Sequence, residues 1–135
     1  MELVIGRTPV SAQAANARSK EEWKKTIGEI ASRSISEKRE WWNTDERPLS
    51  ATIYYFPPDE MQGDIDNIVK PILDGMTNIV YNDDRYIEKI VVQKFEAGRD
   101  WRFRSPSEVL ERAVKMEKPA LYIRVDDDLS WRDVL

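Results

Sequence analysis

Between Asp64 and Asp84 the sequence carries five aspartates (Asp64, Asp66, Asp74, Asp83 and Asp84) and one lysine, Lys70. Carboxylates this dense repel one another and raise each other's pKa. Either they face separate solvated surfaces, or a positive charge sits among them. The chain has no cysteine and no histidine, which removes thiolate nucleophiles, imidazole bases and Cys/His zinc sites. Catalysis must come from carboxylates, lysines, hydroxyls or a bound hard metal, and carboxylate oxygens suit magnesium or manganese.

The charge distribution singles out the same segment. Residues 51–100 hold ten acidic and five basic side chains, a net −5, whereas the flanking parts carry +1 and 0. The whole acidic excess of a chain with net charge −4 therefore lies around the aspartates. Two divalent cations there would bring the protein near neutrality, so an acidic balance does not argue against a nucleic-acid partner.

Each feature also has an ordinary explanation. Asp-x-Asp before a helix caps it and compensates its dipole. Asp66 and Lys70 form a standard i, i+4 helix pair, and Asn-Asp-Asp suits any turn. The conjunction asks for more, because a cap needs one acid and a turn needs no partner upstream. If the aspartates converge, bound Mg²⁺ can activate a water and stabilise a leaving oxygen, with Lys70 meeting the phosphate.

The elements that position these residues follow from patterning. Glu2–Ile5 is a short strand stopped by Gly6 and Pro9. Ser19 with Glu22 reads as a capping box, and Trp23, Ile27, Ile30 and Ala31 follow at helical spacing, predicting a helix from about Lys20 to Ile35. Trp41 and Trp42 imply packing in the connection that follows. Leu49–Phe56 is a β-rich run closed by Pro57-Pro58. From Ile65 to Val80, apolar residues recur at three- and four-residue steps, predicting a motif helix with Pro71 in its first turns or at a slight kink. Asp66, Lys70 and Asp74 share one stripe of it. At about 14 residues such a helix is roughly 20 Å long, so the chain must fold back for Asp84 to approach Asp64 and Asp66.

Tyr86–Phe95 reads as a third strand. Ser105-Pro106-Ser107-Glu108 opens another helix, with Ser105 as cap and Pro106 at the first helical position, running to about Lys115. Ala120–Val125 is the last strand, and an acidic tail begins at about Asp126. Asp126-Asp127-Asp128 reads as charge blunting a strand end and is left out of the site. The expectation is one domain over residues 1–135, α+β, with a mixed, largely antiparallel sheet, helices packed on it, and β-α-β-α-β-α-β order. No apolar run reaches a membrane span and no secretory leader is visible, so the expected location is cytoplasmic, with no membrane partner.

Asp64-Ile-Asp66-Asn67-x-x-Lys70-x-x-x-Asp74, with Met76 at an apolar position and Asp83-Asp84 beyond, resembles the signature of the RusA family of Holliday junction resolvases. Pro9-Val-Ser-Ala-Gln13 is similar to a second segment of that family. The likeness covers most of the chain to Val125, with a longer insert around residues 99–118. It implies a RusA-like fold and a homodimeric, Mg²⁺-dependent endodeoxyribonuclease (Mn²⁺ being the alternative ion). Its implied substrate is branched DNA such as four-way junctions, cut in recombination and repair.

By this resemblance Asp64, Asp66 and Asp84 match the metal-binding acids and Lys70 the catalytic lysine. Asp74 and Asp83 match further acids of the metal site, and Asn67 positions the helix start or a ligand. Some relatives carry arginines just ahead of the first aspartate, where this chain has Asp59-Glu60-Met61-Gln62-Gly63, and Tyr86 stands where a glutamine is common. Phosphate contacts are expected from Arg18, Lys20, Lys24 and Lys25, or from Arg99, Arg102 and Arg104 around Trp101. Two other functions remain open at this level. One is a catalytically silent branched-DNA-binding protein of the same fold. The other is a metal-dependent phosphohydrolase on small phosphates, for which the five glycines supply no phosphate loop.

Overall fold

The structure, a computed structural model, describes residues 1–14, 16–38, 47–99 and 101–128. Trp41, Trp42 and the C-terminal S-W-R-D-V-L segment lie outside the described residues. The elements run β1 (Glu2–Ile5), α1 (Ala17–Lys38), β2 (Leu49–Phe56), a 3₁₀ turn (Ile65–Ile68), α2 (Val69–Met76), a second 3₁₀ turn (Asp84–Tyr86), β3 (Ile87–Lys94), α3 (Glu108–Lys115) and β4 (Ala120–Asp126).

The four strands form one sheet in the order β1-β4-β2-β3. β4 is antiparallel to both β1 and β2, while β2 and β3 are parallel. A parallel neighbour requires a crossover, and here the crossover is the segment that carries the aspartates. The sheet is thus mixed and mainly antiparallel, and the fold is α+β.

Both faces of β2 are covered, so it reads as a nearly continuous buried run. Ala51, Ile53 and Tyr55 face α1 and α2, where Trp23, Ile27, Ile72 and Met76 complete the larger core. Phe56 and Tyr122 face α3 and a group of aromatic rings from the 95–103 region. α1 and α2 approach closely because their contact is built on glycines. A Cβ on Gly75 would lie 2.9 Å from the Ile27 Cβ, and one on Gly28 would lie 2.8 Å from the Ile79 Cδ1.

Three boundaries differ from expectation, each for a local reason. α1 starts earlier because Asn16 caps it: its Oδ1 accepts from the amides of Arg18 (3.0 Å) and Ser19 (3.2 Å). Ser19 therefore lies inside the helix, and Glu22 pairs with Arg18 instead. α3 is capped by Ser107, which accepts from the Leu110 amide at 3.1 Å; Ser105 takes a left-handed φ of 46° outside the helix. α2 stops at Met76 rather than Val80, because Thr77 is extended and Asn78 adopts φ 67°. The chain then folds Val80 back into the core, fully buried, so the apolar period outlasts the helix that it suggested. Pro71 occupies the first turn of α2, where its missing N–H costs least.

Candidate active site

The aspartates are delivered by the two ends of the β2-to-β3 crossover. Asp64 stands at the N-terminal boundary of the first 3₁₀ turn with extended backbone (φ −105°, ψ 145°), yet its side chain makes no capping hydrogen bond. Asp66 lies in that turn, exposed. Neither carboxylate has a hydrogen bond or ion pair among the described residues. The capping explanation for Asp64 therefore fails on geometry. A backbone bond from the Ala12 amide to the Asn67 carbonyl (2.7 Å) ties this turn to the Pro9–Gln13 segment. That places the two motifs side by side, and it gives Asn67 a backbone role at the start of the helix.

Lys70 follows in the first turn of α2, and its Nζ lies 2.9 Å from Asp74 Oδ1 and 2.5 Å from Asp84 Oδ2. The Lys70 side chain is 63% exposed, and ion pairs at such exposure contribute about 0–1 kcal/mol. Stability alone is a weak reason for building this bridge. The hydrogen bonds to Asp84 and then to Asp74 raise the Lys70 pKa above its ordinary value. Lys70 is therefore a fixed ammonium and not a proton acceptor.

Around this bridge other groups are held in place. Asp83 Oδ1 accepts from the Arg85 amide at 2.8 Å and caps the second 3₁₀ turn, which aims Asp84 at Lys70. Tyr81 donates its hydroxyl to the Leu73 carbonyl at 2.6 Å. Burial, then the nearby charges of Asp84 and Asp74, push the Tyr81 pKa up. From α1, Lys24 Nζ comes within 3.9 Å of Asp74 Oδ2 while pairing with Glu21 at 3.4 Å.

The structure thus brings Lys70, Asp74, Asp84 and Lys24 together, and spends the Asp83 carboxylate on a turn. Among the described residues no three acidic side chains close on one point as a formed metal site.

The family model for the endodeoxyribonuclease RusA matches residues 7–103. This chain belongs to the RusA endodeoxyribonuclease family. It is a DNA phosphodiester hydrolase of the Holliday junction resolvase type. The match takes in both motifs and ends at Phe103, short of the Val125 anticipated from the likeness. No curated protein matches the chain.

In this RusA-family protein the basic residues fall into two groups. Lys24, Lys25 and Arg33 line an open groove between α1 and α2 that runs to Asp74, together with Glu21 and Glu29; Lys20 and Arg18 lie on the preceding turn, with Arg18 paired to Glu22 at 3.1 Å. Arg99, Arg102 and Arg104 point outward. The rings between them do not: Trp101 packs on Phe56 and Phe103 on Tyr54, each with 5.4 Å between centroids. Those aromatics are half-buried, packed against the second core. Asp126 and Asp127 pair with Arg124 (3.0 Å) and Arg47 (2.7 Å), as strand-end charges do.

Sequence reasoning did not assign Tyr81 to the site, and it took Lys24 for a phosphate contact alone. The available signal was the glycine pair Gly28 and Gly75, which lets α1 come close enough for Lys24 to reach Asp74. Asp64, Asp66 and Asp84 offer only carboxylate oxygens, the donor type that a hard divalent cation takes. No described helix is long and apolar enough to cross a membrane.

Proposed function

We propose that this RusA-family nuclease uses Asp64, Asp66 and Asp84 to hold Mg²⁺, with Mn²⁺ as the alternative ion, and resolves four-way DNA junctions by paired phosphodiester hydrolysis. The observation that carries this reading is a pair of carboxylates, Asp64 and Asp66, that have no partner among the described residues. They stand one turn ahead of a lysine that is already shared by two further acids. Acids placed for stability would cap or pair; these do neither. A divalent ion there supplies Lewis-acid chemistry for attack of water on phosphorus.

The chain's own residues do the rest. Lys70, locked in its charged form, offers an ammonium to the phosphate as negative charge builds on its oxygens. Asp74, with Lys24 behind it, fixes where that ammonium sits, and Asp83 fixes Asp84 through its turn. Lys25 and Arg33, in a groove that also carries Glu21 and Glu29, and Lys24 beside Asp74 offer contacts to the sugar-phosphate backbone that are silent on sequence. Arg18, Arg99, Arg102 and Arg104 add outlying phosphate contacts.

Two copies would cut opposite strands of a junction. In support of a homodimer, the edge strand β3 exposes Ile90 at 45%, a large apolar side chain in contact with solvent. The reading places the enzyme in the cytoplasm, as one domain acting in DNA recombination and repair.

The test is cleavage of an end-labelled four-way junction beside a linear duplex, with Mg²⁺ or with EDTA. Symmetric, metal-dependent nicks confined to the junction are expected. Binding without cutting under any divalent metal would favour a silent branch-binding protein. Hydrolysis of free nucleotides only would favour a small-phosphate hydrolase.

A further inference from the structure

A cavity of about 340 Å³ opens beside Asp64, between the Pro9–Ser11 segment and the connection that follows β2. Its walls are apolar: Pro9, Tyr55, Pro57, Met61 and Ile68 contribute. The rim is acidic, carrying Asp59, Glu60 and Asp64, and among the described residues no lysine or arginine lines it. The size falls in the range of small-molecule pockets, about 300–1,000 Å³.

Two ties hold the walls before any ligand arrives. The Met61 amide donates to Glu96 Oε2 at 2.8 Å, pinning the outer connection to the residue two beyond the end of β3. The Ala12 amide donates to the Asn67 carbonyl, pinning the inner segment to the 3₁₀ turn. Pro57 and Pro58 restrict the backbone between them.

These features choose among the parts of a nucleotide. Asp59 and Glu60, the two rim carboxylates outside the proposed metal set, repel a phosphate from the cavity itself. A sugar has too little apolar surface to reward walls of proline, tyrosine and methionine. A neutral heterocycle has two apolar faces and an edge of donors and acceptors, which Ser11 and Gln62 in the lining can meet. The cavity also shares Asp64 with the site proposed to hydrolyse the backbone, so its occupant lies within a nucleotide or so of the cut.

We infer that this cavity receives one unstacked nucleobase of the strand being cut, drawn from the junction's crossover. The inference rests on the nuclease reading above. Bases at a crossover lose stacking partners at smaller cost than bases within a duplex, and enzymes acting on nucleic acid exploit such cheap unstacking for selectivity. The pocket then favours branch points over linear DNA without needing any base-edge readout.

The experiment uses four-way junctions carrying 2-aminopurine, one position at a time, at the nucleotides flanking the crossover. The full-length protein is added in EDTA so that binding is read without cutting. Emission should rise on binding at one of these positions and stay flat in a linear duplex. Thr8→Trp and Pro58→Trp, two exposed positions on the cavity wall, should each block the pocket and abolish that rise at protein concentrations where a gel shift shows the junction fully bound. With Mg²⁺, an abasic nucleotide at the responsive position should slow wild-type cutting about tenfold or more, the scale set by loss of one stacked base. The blocked variants should be slow already and indifferent to the abasic change.

A bound junction with flat emission at every flanking position overturns the inference, as does wild-type cutting by both blocked variants. These results are separable from failure of the nuclease reading. Cutting without an emission rise sinks the pocket and spares the nuclease, whereas an emission rise with no cutting under any metal does the reverse.

Discussion

Lys70 and Asp84 lie fourteen residues apart in sequence, at opposite ends of a helix and its return turn, and meet at 2.5 Å. The contact is possible because α2 is short. Eight helical residues span about 12 Å, and the long lysine side chain reaches Asp84 as the chain turns into β3. Asp74, one helical turn beyond Lys70, holds the same ammonium from the other side.

Removing this ammonium should separate chemistry from stability. Lys70→Ala is expected to slow single-turnover junction cutting by about 100- to 1,000-fold, the usual loss when one donor to a developing anion is deleted. Its unfolding free energy should move by no more than about 1 kcal/mol, because the pair is exposed. Quench-flow cleavage and urea unfolding read the two effects independently.

Asp64→Ala tests whether that carboxylate is structural. A capping aspartate costs about 1 kcal/mol when replaced by alanine. Since Asp64 makes no capping bond, the expected loss is within about 0.5 kcal/mol, as for an uninvolved surface position. Cutting should nevertheless fall to background. A large stability loss would return Asp64 to the role of a cap.

Gly75→Ala should damage the site from a distance. The added methyl would sit 2.9 Å from the Ile27 Cβ and 3.1 Å from the Lys24 carbonyl, so α1 must shift, at a cost of about 2 kcal/mol. Melting should drop by about 5–10 °C. Cutting measured well below the new Tm should also fall, because Lys24 loses its approach to Asp74. Circular dichroism melts and cleavage at 20 °C together check both halves.

Glu96 gives an acid-side prediction. Its hydrogen bond from the Met61 amide, helped by Lys94, lowers its pKa below the ordinary 4.5. A carboxyl held lower in the folded state than in the unfolded one contributes stability above pH 4.5, and that contribution fades as pH falls through the folded value. Glu96→Gln should therefore lower stability at pH 7 and flatten the loss of stability below pH 4.5. Denaturant midpoints between pH 3 and pH 7 would show it.

Local information made parts of this molecule readable. Leu49–Phe56 is β-branched and aromatic, ends at two prolines and forms a strand over that range. The acidic residues stood out by their density, and their expected roles came from the family resemblance. What sequence could not supply depends on distant partners. The helical period continues to Val80 because a turn after Met76 presents the same apolar face, so periodicity overstates α2. Ser105 and Ser107 are equally good caps on paper, and the choice falls to Ser107, whose hydroxyl also donates to the Glu2 carboxylate on β1. Trp101 and Phe103 alternate with arginines as a nucleic-acid surface does, yet they pack, half-buried, against the second core. The meeting of Lys70 with Asp84 needs the β2–β3 crossover, which no local pattern encodes.

The most direct measurement is anomalous diffraction from crystals soaked in Mn²⁺. Manganese density bonded to carboxylate oxygens of Asp64, Asp66 and Asp84 is the predicted result, lost in Asp66→Asn crystals that keep the same fold. Ordered wild-type crystals with no anomalous peak at these carboxylates, from an enzyme that still cuts junctions in the same Mn²⁺ solution, would contradict the account.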